Sequence, residues 1–341
     1  VKKKLLMLIV ILLLVTGTVI AEEDNSELIG FPIIFSSPDT GLGAGGTGIY
    51  FKDTDDKKIE GSFVGFYTLE EQTNLIGQVE QTRDDYKYSL GLLYQDWPEK
   101  FYGLNNQIDF VEGKDYESQG FKIDLGVSKE LVENNFLGLV GSYESYDLNL
   151  ADQIEQEIPD GNGVDLLGLG VNYRFDTRDR TMNTRQGQYF VYELVAYNQD
   201  LADYKFLSHD LDHRIFKQLR PGHVLAWQNK LEINAGEVPF QQLASLGNMN
   251  ILRGFDTAKY KAEDKVATQV EYRYPIYKQL SGTAFAGFGG VMDDLNSDYL
   301  KESWGLGLRY NINKQRGLNL RFDFAFNAED GSFYFNFGEA F

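Results

Sequence analysis

The stretch Leu318-Asn319-Leu320-Arg321-Phe322-Asp323-Phe324-Ala325-Phe326 decides the class of fold. Every even position is Leu or Phe, and Asn319, Arg321, Asp323 and Ala325 stand between them. Strand side chains alternate across a sheet, so this pattern sets a wholly apolar face against a face that holds every ionisable group. The same period of two recurs upstream. In 303–312, Trp304, Leu306, Leu308, Tyr310 and Ile312 alternate with Gly305, Gly307, Arg309 and Asn311. In 266–276, Val266, Val270, Tyr272, Tyr274 and Ile276 oppose Gln269, Glu271 and Arg273. Leu167, Leu169, Val171, Tyr173 and Phe175 face away from Gly168, Gly170, Asn172, Arg174 and Asp176, and Phe121, Ile123, Leu125 and Val127 away from Lys122, Asp124, Gly126 and Ser128.

Alternation alone also suits a soluble sandwich, whose apolar face is the core. Three features point instead to an all-β transmembrane barrel. Many segments reach ten residues or more, as tilted membrane strands require, against the usual five or six of globular sheets. Aromatics make up 14% of the chain, with Tyr94, Trp97, Tyr277, Trp304 and Tyr310 near strand ends, where interfacial girdles sit. The chain also finishes in a strand-like run, Phe333 to Phe341, whose last residue is aromatic.

Unpaired strand edges in lipid leave backbone groups unsatisfied at several kcal/mol each, so the sheet must close, and bacterial barrels close with an even number of strands. The pattern predicts about sixteen antiparallel strands, near 29–36, 41–52, 58–69, 73–83, 86–97, 117–131, 136–150, 164–176, 187–199, 204–218, 223–235, 265–277, 281–292, 303–312, 317–326 and 332–341. With Phe341 on the periplasmic side, 313–316, 277–280 and 218–222 become tight periplasmic turns. The segments 292–302, 237–264, 150–163 and 97–116 become long outer loops, and 237–264 is too long for an idle hairpin.

The chain begins Val1-Lys2-Lys3-Lys4, continues with an apolar run to Val15, and reaches small residues ending in Val19-x-Ala21. This is the layout of a signal peptide, and the run is short for a spanning helix of ~20 residues. The expected division is a signal peptide over 1–21 and a barrel over 22–341.

Composition excludes other classes. With no Cys there is no disulfide, thiolate site or lipid-modified cysteine. A net charge of −19 argues against a nucleic-acid partner, which needs a basic face. Gly41-x-Gly43-x-x-Gly46 fits a dinucleotide fingerprint, but strand rather than helix follows. His209 and His213 stand ~13 Å apart in a strand, too far for one metal ion, and read as polar lining. The acidic stretches 53–56 and 293–298 read as solvated turns. No Gly-x-Ser-x-Gly is present and nothing pairs a nucleophile with a base, so neither an enzyme nor a cofactor is expected.

One segment is more specific. Leu252-Arg253-Gly254-Phe255, followed by Glu271-Tyr272-Arg273-Tyr274-Pro275, resembles the signature of the BamA/TamA-type outer-membrane assembly superfamily, the bacterial surface antigen barrels. Phe31 to Gly43 resembles the first hairpin of that family. Phe175-Asp176-Thr177-Arg178-Asp179 with Thr184-Arg185-Gln186-Gly187 resembles its mid-barrel periplasmic turn, and Phe335 to Phe341 its closing strand. The resemblance implies a barrel in the bacterial outer membrane with the long loop folded inside, Arg253 contacting Glu271 on the inner wall. Arg273 shares that face. A buried guanidinium needs such a carboxylate to offset lost hydration. On residue chemistry alone, without the resemblance, solvation of an exposed loop tip is the favoured reading of Arg253.

Two departures stand out. Gly287 occupies a place where many relatives carry an Asp that helps hold the loop, which implies either a weaker tether or one supplied by Asp293 or Asp294. The family's periplasmic POTRA modules do not fit between Ala21 and the first strand, which implies a short form. The implied partners are outer-membrane lipid, the barrel assembly machinery for the chain's own insertion, and client outer-membrane proteins. The implied function is insertion or passage of protein or lipid through a weak seam, where the opening strand reads as short and interrupted by Pro32, which cannot donate a ladder hydrogen bond. The alternative is a passive, narrow, porin-like pore or structural barrel without a client.

Overall fold

The structure, a computed structural model, describes residues 19–23, 25–37, 40–104, 109–150, 154, 158, 163–199, 203–293, 300–329 and 331–341, with side chains from residue 25 onward. A short strand β1 (Val19–Glu23) forms a hairpin with β2 (Ser26–Ser37). Then follow β3 (Gly41–Thr54), β4 (Lys57–Thr68), β5 (Thr73–Arg83), β6 (Tyr86–Phe101), β7 (Lys114–Val132), β8 (Asn135–Leu150) and β9 (Val164–Asp176). The second half holds β10 (Gly187–Tyr197), β11 (Phe206–Arg220), β12 (His223–Gly236), two loop strands β13 (Ala244–Ser245) and β14 (Lys261–Ala262), and β15 (Asp264–Tyr277). It ends with β16 (Leu280–Met292), β17 (Lys301–Asn313), β18 (Leu318–Phe326) and β19 (Gly331–Phe337).

Seventeen strands share one sheet; setting aside the five-residue β1, which lies antiparallel along the first residues of β2, sixteen close into an antiparallel barrel. Each pairs with its sequence neighbour, β12 pairs with β15 across the inserted loop, and β19 returns to β2. The expected strand count and order are met, with most ends within three residues.

Burial separates a barrel from a sandwich, because the polar face is the buried one. Along β17, Ser303, Gly305, Gly307 and Arg309 are buried while Trp304, Leu306, Leu308 and Tyr310 are exposed. Arg253, Arg309 and Arg321 are among the largest fully buried side chains, whereas Leu306 is 58% and Phe324 50% exposed. A water-soluble sheet would reverse that assignment; in a bilayer, the exposed apolar face meets hydrocarbon.

Several expectations change. β2 is not short: it runs from Ser26 to Ser37, and Pro32 sits opposite Gly46 within an unbroken register with β3. The weak joint is on its other side, where β19 meets it through three residue pairs. β19 ends at Phe337, not at Phe341 as expected of a closing strand. Gly338 adopts φ 77°, open to glycine without strain, and turns the chain inward. Ala340 and Phe341 then pack against Phe216 and Ala226. His209 and His213 share parity with Leu207 and Leu211 rather than with Asp210 and Asp212, so they do not line the lumen. His209 meets the Tyr192 hydroxyl at 2.7 Å instead. The expected signal-peptide boundary at Ala21 falls inside β1, and residues 1–18 lie outside the described residues.

Candidate functional site: a loop tethered inside the lumen

Between β12 and β15 the chain makes a small folded unit. A 3-10 turn, Phe240–Gln242, precedes β13, and β13 pairs with β14 through Ala244↔Ala262 and Ser245↔Lys261. Ala244, Leu246, Ile251, Leu252, Phe255, Tyr260 and Ala262 form its core and press on the wall residues Ala267 and Val291. Leu252 takes φ 49° and Gly254 φ 108°, a sharp reversal that points Arg253 away from this core. Gly254 lies on the backbone of β18, where an added Cβ would come within 3.4 Å of both the Ala325 carbonyl carbon and the Phe326 nitrogen. That is ordinary contact distance, and it is the φ of 108°, strained for any residue with a Cβ, that calls for glycine here.

Arg253 is completely buried and makes two ion pairs. One Nη donates to Asp323 at 2.5 Å and the other to Glu271 at 2.8 Å, while the guanidinium carbon lies 3.4 Å from the centre of the Phe285 ring. Beyond this fork the network continues along the inner wall. Arg273 donates to Glu271 at 2.8 Å and to the main-chain oxygen of Phe341 at 2.9 Å. Arg309 donates to Asp323 at 2.6 Å and to Glu339 at 2.7 Å. Arg321 reaches the loop carbonyl of Met249 at 3.2 Å and lies 3.7 Å from Asp323. Four guanidiniums thus surround the three carboxylates of Glu271, Asp323 and Glu339. Charge-assisted, forked bonds of this kind recover in geometry what burial takes away in hydration.

The loop also touches the opposite wall and the last strand. Gln242 donates to Glu144 on β8 at 2.7 Å, and Lys261 donates to Glu99 at 2.7 Å and to the Tyr116 hydroxyl at 3.0 Å. The Gly254 N–H donates to the Tyr334 hydroxyl on β19 at 3.1 Å, and Asn327 donates to the Gly254 carbonyl at 2.8 Å. The unit therefore spans the lumen.

Of the residues singled out by sequence, Arg253, Glu271 and Arg273 meet in one cluster, while Leu252 and Phe255 belong to the loop core rather than to the charged contact. Phe341 joins through its main-chain oxygen. The second carboxylate on the loop arginine is Asp323, not Asp293, whose Oδ1 accepts from the Glu263 N–H at 3.2 Å, and Asp294 lies outside the described residues. Asp323, Arg309, Glu339 and Tyr334 were not foreseen. The inner-face parity of Asp323 and Arg309 was readable from the alternation; their convergence on a residue of a distant loop was not.

Comparison with known proteins places this geometry. The description "Omp85 superfamily domain" matches residues 42–341. Curated protein sequences yielded no match. The fold is similar to that of BamA from Haemophilus ducreyi lacking POTRA domains 1–3, with TM-score 0.61 and 15% identity over 93% of this chain and 70% of that one. It is also similar to CdiB from Acinetobacter baumannii (TM-score 0.61, 11% identity, 93% of this chain and 60% of that one) and CdiB from Escherichia coli (0.61, 11%, 94% and 63%). The chain spans less than two thirds of either CdiB chain. With the family match covering most of its length and the barrel closing in the same way, this chain belongs to the Omp85 superfamily and is one of its outer-membrane β-barrels.

Proposed function

We propose that this barrel aids the insertion or passage of protein or lipid at the outer membrane by parting between β2 and β19. The observation that carries the reading is the length of that joint. β19 meets β2 only through Phe333↔Ser36, Tyr334↔Phe35 and Phe335↔Ile34, whereas β2 is paired with β3 from Ser26 to Ser37. Each backbone hydrogen bond broken in lipid costs several kcal/mol, so the wall parts most easily where the ladder is shortest. Below the three pairs, that edge of β2 is taken by β1, from Val19↔Gly30 to Glu23↔Ser26, and the remaining contacts across the joint are made by side chains: Phe31 stacks on Phe337 with ring centres 4.0 Å apart, and Arg316 donates to Glu27 at 2.8 Å. Such contacts separate without breaking a ladder. The bond from Gly254 to Tyr334 ties the tethered loop to the strand that would move.

A passive pore is less well supported, because the loop bridges both walls of the lumen through Arg253 and Gln242. Residues 1–21 are read as a signal peptide, leaving Glu22 as the first residue of the working chain; sequencing the N-terminus of protein isolated from outer membranes checks this.

The test uses Ile34→Cys with Phe335→Cys. These positions face each other across the joint, with Cβ atoms roughly 4.5–5.5 Å apart as in any directly opposed pair, and the chain has no other cysteine. Folding of a urea-denatured outer-membrane barrel into lipid vesicles that hold the variant is followed with and without reductant. Acceleration under reducing conditions that disappears on oxidation supports the reading. Equal acceleration in both states, or none in either, rejects it.

A further inference from the structure

The connection 177–186 does not behave as a simple turn. It folds inward across the periplasmic mouth: the Thr184 carbonyl accepts from Arg273 at 3.4 Å, and Met182 packs on Ile29, Phe31 and Leu318. Between this connection and the turns 278–279 and 314–317 lies a hollow of about 290 Å³. Six cations line it, Arg180, Arg185, Arg273, Lys278, Arg309 and Lys314, against the single acid Glu339. That concentration sits in a chain whose net charge is −19.

The floor and the rim differ. At the floor, Arg273 and Arg309 are engaged by Glu271, Asp323 and Glu339. At the rim, Arg180 faces Asp179 at 3.7 Å. Among the described residues, Arg185, Lys278 and Lys314 hold no carboxylate, in contrast to Arg178 and Arg316, which hold Asp176 and Glu27. Cations gathered around a hollow repel one another unless an anion enters.

We propose that this vestibule is a binding site for a phosphate monoester. A phosphate monoester brings roughly −1.5 to −2 charges and three acceptor oxygens, enough to engage three cations from three turns at once. A carboxylate offers one charge and two oxygens. A client β-strand is a poorer occupant still, because the hollow is walled by turns and by strands whose ladders are already made. The monoester has two sources, a soluble sugar or glycerol phosphate in the periplasm or the headgroup of a lipid in the inner leaflet. The site stands independently of whether the joint between β2 and β19 opens.

The experiment is calorimetric titration of the full chain, refolded in a non-ionic detergent, with glycerol 3-phosphate, dihexanoyl phosphatidic acid and acetate. It is repeated on the variant Arg185→Gln, Lys278→Gln, Lys314→Gln, with heat-modifiable gel migration as the check on folding. Should that variant not fold, Lys314→Gln alone is read in the same way. The expected result is binding of a phosphate probe at least about tenfold tighter than acetate, with a loss of about tenfold or more in the triple variant, as for removal of charge-assisted bonds. Binding of glycerol 3-phosphate supports the site with a soluble source, and binding of phosphatidic acid alone supports it with a lipid source. Equal affinity for acetate, unchanged affinity in the folded variant, or no binding of either phosphate overturns the proposal.

Discussion

Removing Asp323 should harm this barrel more than removing the loop arginine it holds. In the lumen cluster, four guanidiniums (Arg253, Arg273, Arg309, Arg321) face three carboxylates (Glu271, Asp323, Glu339). Arg253→Ala leaves three against three, and each carboxylate keeps a partner: Asp323 retains Arg309 at 2.6 Å and Glu271 retains Arg273 at 2.8 Å. The loss is two charge-assisted bonds of roughly 1.5–3 kcal/mol each, offset by a desolvation cost of several kcal/mol that no longer falls on a buried guanidinium. A net cost of about 2 kcal/mol follows. Asp323→Ala leaves four guanidiniums against two carboxylates and takes a partner from Arg253 and Arg309 together. Breaking a buried ion pair from one side costs about 3–5 kcal/mol. The double variant restores the native difference between guanidiniums and side-chain carboxylates, three against two in place of four against three. Its cost should therefore fall short of the sum of the single costs by about 1–3 kcal/mol. Urea unfolding in lipid vesicles, followed by tryptophan fluorescence and heat-modifiable migration, measures all three. If Arg253→Ala costs as much as Asp323→Ala, or if the double variant is additive within about 0.5 kcal/mol, charge balance is not what holds the loop.

Tyr334→Phe deletes the acceptor for the buried Gly254 N–H, and should cost about 1–3 kcal/mol while making the loop more sensitive to added protease; unchanged proteolysis would separate the loop from the last strand. Gly307→Ala places a methyl group against Asp323, Thr283 and Arg309 on the inner wall and should destabilise by about 1–3 kcal/mol, whereas Gly77→Ala, which meets open space, should not; the same urea titration compares them. Glu329, in the outer loop after β18, is raised by partial burial but lowered more by the Tyr260 hydroxyl and by Lys301, so its carboxyl titrates below the usual range. Because its folded value is depressed, its stabilising contribution is present at neutral pH and is lost as pH falls through that value, below the usual carboxylate range. Hydrogen exchange of amides around Tyr260 should accelerate in that acid window and not between pH 6 and 8.

The alternation at 318–326 was sufficient for β18, and both Arg321 and Asp323 were assigned to the polar face from it. The pairing of Arg253 with Glu271 was expected from the family signature, and the two lie 2.8 Å apart. The partnership with Asp323, seventy positions along the chain, was not legible, because parity names a face and not a neighbour. The inward turn after Phe337 was missed for a related reason. Apolar Ala340 and Phe341 continue a strand-like pattern, and only Arg273, Phe216 and Ala226 waiting inside the mouth give them another place to go.

By itself, then, the sequence determined the strands, their number and the identity of the two faces, since a period of two is written in successive residues and needs only a bilayer to be interpreted. The tertiary structure decided the three-pair joint, the cluster around Arg253 and the cationic vestibule. Each of these depends on how sixteen strands close and which turns fold inward, and contacts across a lumen are set by register and closure rather than by any local stretch of chain.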